Sequence, residues 1–277
     1  MRLGGPVHGT FDGAEAWADA AVAAGWRAVY CPVDASADDA TVAAYVRAAE
    51  SHDLVIAEVG AWSNPLSPDP EVAKAAVALC RRQLELADRI GARCCVNIAG
   101  SRGAKWDGPS PLDLLPETFD QVVETVRGII DAVRPRRTFW TLETMPWMFP
   151  HTVDTYLELI RAIDRDRFAV HLDPVNLIDS PAKCFASGDL ARDCVRRLGP
   201  WVRSVHLKDI RLSESLTVHL DEVEPGQGTF DHAALLTGLH GLDPDLPVML
   251  EHLPDAAAYA RAADHVRGVA RSLGIVM

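Results

Sequence analysis

The sequence predicts an α/β protein with one (β/α)8 barrel domain spanning residues 1–277. Eight short runs of apolar, β-branched and aromatic residues alternate with eight helical patterns along the chain. Alternation of this kind predicts a parallel sheet with helices outside it. Four consecutive runs also end in side chains that can bind a metal, namely Glu143, Asp173, His206 and Glu251. Such residues at the C-terminal ends of successive strands are typical of the active site of this barrel.

The predicted strands are short, and several end at a turn signal. Pro174, for example, directly follows Asp173, and a proline cannot donate to the hydrogen-bond ladder of a sheet. The strands are predicted over residues 2–8 (including a loop), 26–31, 54–59, 93–97, 138–143, 167–173, 201–206 and 247–251.

Helical patterns fill the intervals between these strands. Ser36, Thr152 and Asp231 are candidate N-caps, and we interpret Gly226-x-Gly228-x-x-Asp231 as a turn that leads into the last of these caps. Residues 211–228 are predicted to form an irregular excursion before the last strand. Helices are predicted over residues 14–24, 36–51, 70–90, 117–133, 152–163, 189–198, 231–239 and 254–273.

A doubly wound open sheet is the competing architecture. Its dinucleotide-binding form carries a GxGxxG motif after the first strand, and this motif is absent here. An open sheet also places its site at one switch point, whereas the candidate ligands recur on four consecutive strands. Both observations favour the closed barrel.

Composition narrows the class of protein. The net charge of −12 argues against nucleic acid as a partner, because binding to a phosphate backbone depends on Lys and Arg. No apolar run reaches the length of about 18 residues that would indicate a membrane span, and no signal-peptide pattern is present. The six cysteines form no CxxC motif. We therefore expect reduced thiols and a cytoplasmic location.

The four strand-end residues predict a metal site. A single Glu at a strand end is more often a salt-bridge partner, and His206 alone could be a hydrogen-bonded core histidine. Together the four groups would bring about three negative charges to the barrel axis, and these repel one another unless a cation lies between them. Three carboxylates and one imidazole suit one divalent ion, with Mn²⁺ or Mg²⁺ favoured and Co²⁺ or Zn²⁺ as alternatives.

These motifs resemble the xylose-isomerase-like superfamily, which includes sugar isomerases and epimerases, inosose dehydratases and apurinic-site endonucleases. The resemblance covers essentially the whole chain. It implies a xylose-isomerase-like TIM barrel in which Glu143, Asp173, His206 and Glu251 bind one divalent metal. It also implies that Glu143 and Glu251 transfer a proton, as in ketose epimerases, and it leaves a homodimer open. The matching segments are Leu142-Glu143, His171-Leu-Asp-Pro-Val-Asn176, Val205-His-Leu-Lys-Asp209, Pro225-Gly-Gln-Gly-Thr-Phe-Asp231 and Leu250-Glu251.

Two departures from the family pattern concern the substrate. Ketose 3-epimerases have a histidine and an arginine at positions where this chain has Asn176 and Leu212, although Arg211 is adjacent to the second. The endonuclease branch needs further histidines for a three-zinc cluster, and this chain offers Glu58 and Asn97 near the corresponding strand ends. The resemblance therefore supports metal chemistry without identifying the sugar.

Three tryptophans, Trp62, Trp106 and Trp147, are predicted on loops after strands, at the C-terminal end of the barrel. Aromatic faces at this end suit the C–H face of a sugar or polyol, although a loop tryptophan often packs only against its own loop. The tryptophans favour a small carbohydrate or polyol as the ligand.

Other polar residues near the strand ends complete the candidate substrate site. His171 should lie on the same side of its strand as Asp173, one layer deeper, where it is more simply a hydrogen-bonding partner of a ligand. Lys208 and Arg211 could neutralise an oxyanion or a phosphate, or could pair with nearby acidic residues. The candidate substrate-binding residues are Trp62, Asn97, Trp147, His171, Asn176, Lys208 and Arg211.

The sequence favours an enzyme that isomerises or epimerises a small polyhydroxy carbonyl compound. The metal would stabilise an enediolate, while Glu143 and Glu251 would remove and return the proton. The alternative is elimination at the same site, as in an inosose-type dehydratase or a lyase that acts on a keto-glycoside. A non-catalytic sugar-binding protein would leave the four clustered strand ends unexplained.

Overall fold

Eight parallel strands close into a barrel in the computed structural model, which describes residues 1–277. The barrel strands are β1 (Arg2–Gly5), β2 (Ala28–Tyr30), β3 (Val55–Gly60), β4 (Cys94–Asn97), β5 (Trp140–Glu143), β6 (Phe168–Leu172), β7 (Val202–Leu207) and β10 (Pro247–Leu250). Strands β1 to β7 are neighbours in chain order, and β10 closes the ring between β7 and β1. The predicted (β/α)8 barrel is confirmed.

Two further strands, β8 (Asp209–Leu212) and β9 (Leu220–Val223), form an antiparallel hairpin. Only Lys208 separates the hairpin from β7, so the hairpin emerges directly at the C-terminal end of the barrel. The prediction of an irregular excursion over residues 211–228 was therefore wrong for the residues that form β8 and β9. Each strand has four residues and pairs only with the other, so the sequence carries little of the alternation that marks a longer strand.

The helices lie between successive strands. They are α1 (Ala14–Ala23), α2 (Asp39–Ser51), α3 (Pro70–Ile90), α4 (Pro116–Val133), α5 (Val153–Ile163), α6 (Pro181–Phe185), α7 (Ser187–Leu198), α8 (His232–His240) and α9 (Ala256–Ser272). Only the short α6 was not predicted. None of these helices is both long and apolar enough to span a bilayer.

Side-chain caps define several helix starts. Thr152 caps α5 in a capping box with Thr155, and the Asp231 carboxylate caps α8. The predicted cap of α2 was wrong, because Asp38 accepts the hydrogen bond that begins this helix. Ser36 instead donates its hydroxyl to Asp34 in the preceding loop.

The large apolar core lies chiefly between the strands and the surrounding helices. A second, small apolar cluster is formed by Ala28, Ala57 and Met249. Gly4 of β1 makes room for this cluster, because a Cβ there would lie 2.5 Å from the sulfur of Met249. The strands also bury ionisable side chains, which require polar or charged partners.

The hairpin is anchored by the buried carboxylate of Asp209. One oxygen accepts hydrogen bonds from the backbone N–H groups of Ile210 and Phe230, at 2.8 and 2.9 Å. The other accepts from Gly226 and Gly228, at 2.9 and 3.0 Å. A Cβ on Gly228 would lie 2.3 Å from this carboxylate, so the turn requires glycine. The glycine motif is thus a turn around Asp209 followed by an N-cap, as interpreted from the sequence.

Replacement of Asp209 by Asn should lower the free energy of unfolding by about 2–3 kcal/mol, because the new amide NH₂ would face backbone N–H groups that lose their acceptor. Urea denaturation would measure the change. Asp221→Asn is a matched control, since Asp221 is exposed on β9, and it should change the free energy by less than about 0.5 kcal/mol. Equal stability of the two variants would contradict the anchoring role of Asp209.

Candidate metal centre

Four side chains converge at the C-terminal ends of the barrel strands. Glu143 is the last residue of β5, Asp173 follows β6, His206 lies in β7, and Glu251 follows β10. One potential ligand atom from each residue lies within 4.8 Å of the corresponding atoms of the other three. We call these four residues the acidic ring. The structure thus brings together the four candidate metal ligands of the sequence analysis.

His206 stands at the centre of this arrangement. Its Nδ1 atom lies 3.2 Å from Glu143 Oε1 and 2.9 Å from Glu251 Oε1. Its Nε2 atom lies 3.1 Å from Glu58 Oε1. Burial acts to lower the pKa of His206, but the three carboxylates outweigh burial and raise the pKa well above its usual value. In the absence of a metal, the imidazole therefore carries a positive charge.

Lys208 supplies a second buried positive charge. Its ammonium nitrogen lies 2.9 Å from Asp173 Oδ2, 2.6 Å from Glu251 Oε1 and 3.5 Å from Glu222 Oε2. Burial acts to lower the pKa of Lys208, but the surrounding carboxylates raise it well above its usual value. The side chain therefore acts as an internal cation for the acidic ring.

Two carboxylate oxygens in the ring still lack a hydrogen bond. Asp173 Oδ2 and Glu251 Oε1 are buried and accept none. Each is held by charge alone, with the Lys208 ammonium nitrogen 2.9 and 2.6 Å away, respectively. The other oxygen of Asp173 accepts hydrogen bonds from the backbone N–H groups of Val175 and Asn176. Burial raises the pKa of Asp173 to about 6, against the opposing charge of Lys208. Buried oxygens without donors are suited to bind a cation.

Glu58 of β3 lies next to the ring and was not among the predicted site residues. Its carboxylate is 2% exposed, and it contacts His171 Nε2 at 2.9 Å and the Ser204 hydroxyl at 3.0 Å, besides His206. Burial acts to raise the pKa of Glu58, but the two histidines hold it well below its usual range. A charged residue inside an otherwise apolar strand was the sequence signal for this role.

A cavity of about 520 Å³ opens onto the ring and is lined by Glu143 and Glu251. Its aromatic lining consists of Tyr30, Trp62, Trp106 and Tyr259, and Asp107 and His252 also line it. No Lys or Arg is among the lining residues. A cavity of about 540 Å³ lies at the opposite end of the barrel, beside Arg2 and Asp245, and none of the ring residues lines it.

Four predicted substrate-binding residues lie at or beside the ring and its cavity. Trp62 lines the cavity, and the Asn176 amide donates a hydrogen bond to Glu143 Oε1 at 3.2 Å. Lys208 contacts the ring carboxylates directly. His171 is fully buried, hydrogen-bonds Glu58 and packs edge to face against His206 of the ring.

The other three predicted substrate-binding residues do not line this cavity. The Asn97 amide donates to Cys80 of α3 and to the Ser63 carbonyl, so it faces the helices and not the barrel axis. The Trp147 indole donates to the Asp107 carbonyl and packs against its neighbouring loop. Arg211 is exposed on β8 and is not among the residues that line the cavity.

The fold and the acidic ring together define a (β/α)8 barrel with a candidate metal centre at the C-terminal ends of its strands. A family model described as a xylose isomerase-like TIM barrel matches residues 18–269. The chain belongs to this family, as its motifs indicate.

Solved structures with this fold include several enzymes. A D-psicose 3-epimerase with D-tagatose from Clostridium cellulolyticum H10 is 14% identical, with a TM-score of 0.69 and 100% of both chains covered. A xylose isomerase-like TIM barrel protein from Mycobacterium smegmatis in complex with magnesium is 16% identical, with a TM-score of 0.67, and 98% of this chain and 97% of that chain are covered. The probable 3-DHS dehydratase AsbF from Bacillus anthracis is 16% identical, with a TM-score of 0.69 and coverage of 96% and 98%.

These identities are low, and the likeness therefore shows the fold alone. A comparison with curated protein sequences finds no significant match.

Replacement of Lys208 by Met should destabilise the metal-free protein by about 3–5 kcal/mol, because the ring carboxylates lose their buried cation. Chemical denaturation in the presence of a chelator would measure this. Lys183→Met removes an ammonium that pairs with Asp179 on the surface, and it should cost no more than about 1 kcal/mol. If both variants lost equally little stability, Lys208 would not be the internal cation of the ring.

Proposed function

We propose that the protein is a divalent-metal-dependent epimerase or isomerase that acts on a small, neutral polyhydroxy carbonyl compound. The observation that supports this most strongly is the acidic ring at the base of an aromatic-lined cavity. The solved structures with the same fold add support, since they include a ketose epimerase and a magnesium complex.

The donor set fits a divalent cation. Glu143, Asp173, His206 and Glu251 would hold the ion, and three carboxylates with one imidazole favour Mn²⁺ or Mg²⁺. The two buried oxygens that accept no hydrogen bond belong to this set. When bound, the ion would act as a Lewis acid that polarises the substrate carbonyl and stabilises negative charge on its oxygens.

In this proposal, Glu143 and Glu251 transfer the substrate proton. They project from β5 and β10, which are separated by β6 and β7 around the barrel, so they approach a bound substrate from different directions. Burial acts to raise the pKa of each, but His206 and Lys208 together outweigh burial and keep the pKa of both carboxyls below its usual value. Both carboxylates are therefore ionised. One would accept a proton from the carbon beside the carbonyl, and the other would return a proton to the opposite face.

The cavity favours a neutral substrate with apolar C–H faces. A phosphorylated sugar would meet Asp107, Glu143 and Glu251 without a Lys or Arg among the lining residues. Trp62, Trp106 and the two tyrosines offer aromatic faces of the kind that pack against sugar rings. The cavity volume lies within the range of about 300–1,000 Å³ that is usual for small-molecule sites.

A dehydratase or lyase that uses the same ring is the second candidate. His252 favours it, because this residue lines the cavity with Nε2 3.5 Å from Glu251 Oε2 and Nδ1 3.1 Å from Glu222. A histidine in this position could protonate a leaving hydroxyl. The mass of the product distinguishes the two reactions, since isomerisation conserves mass and dehydration loses water.

The purified protein should carry about one divalent metal ion per chain, because the four buried carboxylates outnumber the two cationic side chains, His206 and Lys208, and an ion would balance the remaining negative charge. Elemental analysis by mass spectrometry would measure the content. Asp173→Asn and His206→Ala should each lose most of the metal, whereas the exposed Asp221→Asn should retain it. Equal metal content in all of these proteins would remove the ring from consideration as the binding site.

Glu143→Gln and Glu251→Gln should each reduce turnover by about 10²–10⁴-fold, because Gln keeps the size and one oxygen but cannot accept the proton. Incorporation of solvent deuterium into a panel of ketoses that includes D-tagatose would measure proton transfer. Glu224→Gln is the control, since this residue pairs with Arg261 outside the cavity. If both ring variants exchanged deuterium within a few-fold of the wild type, another residue would be the base.

A further inference from the structure

The two nitrogens of His206 face two different groups of carboxylates. Nδ1 faces the ring carboxylates Glu143 and Glu251, whereas Glu58 is the hydrogen-bond partner of Nε2. A neutral imidazole binds a metal through the nitrogen that carries no proton, and the hydrogen bond at the other nitrogen decides which one this is. The contact between Glu58 and Nε2 would therefore leave Nδ1 free to face the ring.

Glu58 is itself held in one orientation. His171 Nε2 and the Ser204 hydroxyl both contact its Oε2 atom, which leaves Oε1 for His206. The rings of His171 and His206 pack edge to face with their centroids 4.1 Å apart. Glu58 is 2% exposed and the other three residues are fully buried, so bulk water does not compete for these contacts.

From this geometry we infer that Glu58 is a positioning residue, which orients His206 and directs its Nδ1 lone pair towards the metal. The inference rests on the proposed metal centre and assigns a role to a residue outside the ligand ring. Partners of this kind commonly change metal affinity by about 10–100-fold when they are removed. His171 and Ser204 contribute by fixing the carboxylate, without contacting the metal.

Mn²⁺ affinity, measured by isothermal titration calorimetry on protein stripped of metal, tests the inference. Glu58→Gln retains one acceptor oxygen without the charge and should weaken binding by about tenfold, whereas Glu58→Met retains neither acceptor and should weaken it by about 100-fold. Glu224→Gln is the matched control, because the same substitution there removes a carboxylate that pairs with Arg261 outside the site. It should change affinity by no more than about threefold.

A spectroscopic measurement separates positioning from a loss of structure. With ¹⁵N-labelled histidine and bound Mg²⁺, His206 should show its proton on Nε2 in the wild type, and this signal should be altered in Glu58→Met. If Glu58→Met does not fold, the comparison of Glu58→Gln with Glu224→Gln decides the question. If the Glu58 variants bound Mn²⁺ as tightly as the wild type and the His206 signal were unchanged, the inference about Glu58 would be refuted. The proposed metal centre would not be affected by that result. Failure of the wild type to bind any Mn²⁺ or Mg²⁺ would overturn both the inference and the proposed metal centre.

Discussion

The arrangement of charge at one end of the barrel is the constraint on which the site depends. Four carboxylates, from Glu58, Glu143, Asp173 and Glu251, surround two cationic side chains, His206 and Lys208, where water has little access. Buried charges are costly unless opposite charges and hydrogen bonds compensate for them. Each of these side chains is therefore fixed by its neighbours. The resulting rigidity is what a metal site needs, because ligands that are already oriented do not have to be ordered when the ion binds.

The strands and the loops contribute different parts of the site. The ring residues lie at strand ends, and backbone hydrogen bonds of the barrel hold them in place, whereas Trp62, Trp106 and His252 come from the segments that follow the strands. This division is general in (β/α)8 barrels, where the loops can vary without disturbing the strands. The β8–β9 hairpin belongs to both parts. Asp209, the residue after Lys208, anchors the hairpin. Glu222 on β9 in turn approaches the Lys208 ammonium. The hairpin thus connects the edge of the cavity with the charge balance of the ring.

Features that depend on neighbouring residues could be predicted from the sequence, and those that depend on distant contacts could not. The strands and the four ring positions follow from apolar runs that end in an ionisable residue. Glu58 was missed because its partners His171 and His206 are 113 and 148 residues away along the chain. Asn97 was placed at a strand end correctly, but the sequence does not show that its side chain faces α3. The β8–β9 hairpin escaped prediction because its strands pair only with each other.

The closure of the barrel between β10 and β1 has a consequence for how the protein matures. Glu251 follows the last barrel strand to be synthesised, and this strand pairs with β7 on one side and β1 on the other. A nascent chain that still lacks this strand therefore has an open sheet and an incomplete ring, however much of the rest has folded. Lys208 can neutralise the ring once the barrel closes, so closure does not have to wait for an ion. For the proposed metal centre, loading with the ion would then be a separate event after release from the ribosome, and a cell short of the ion would accumulate folded protein without it.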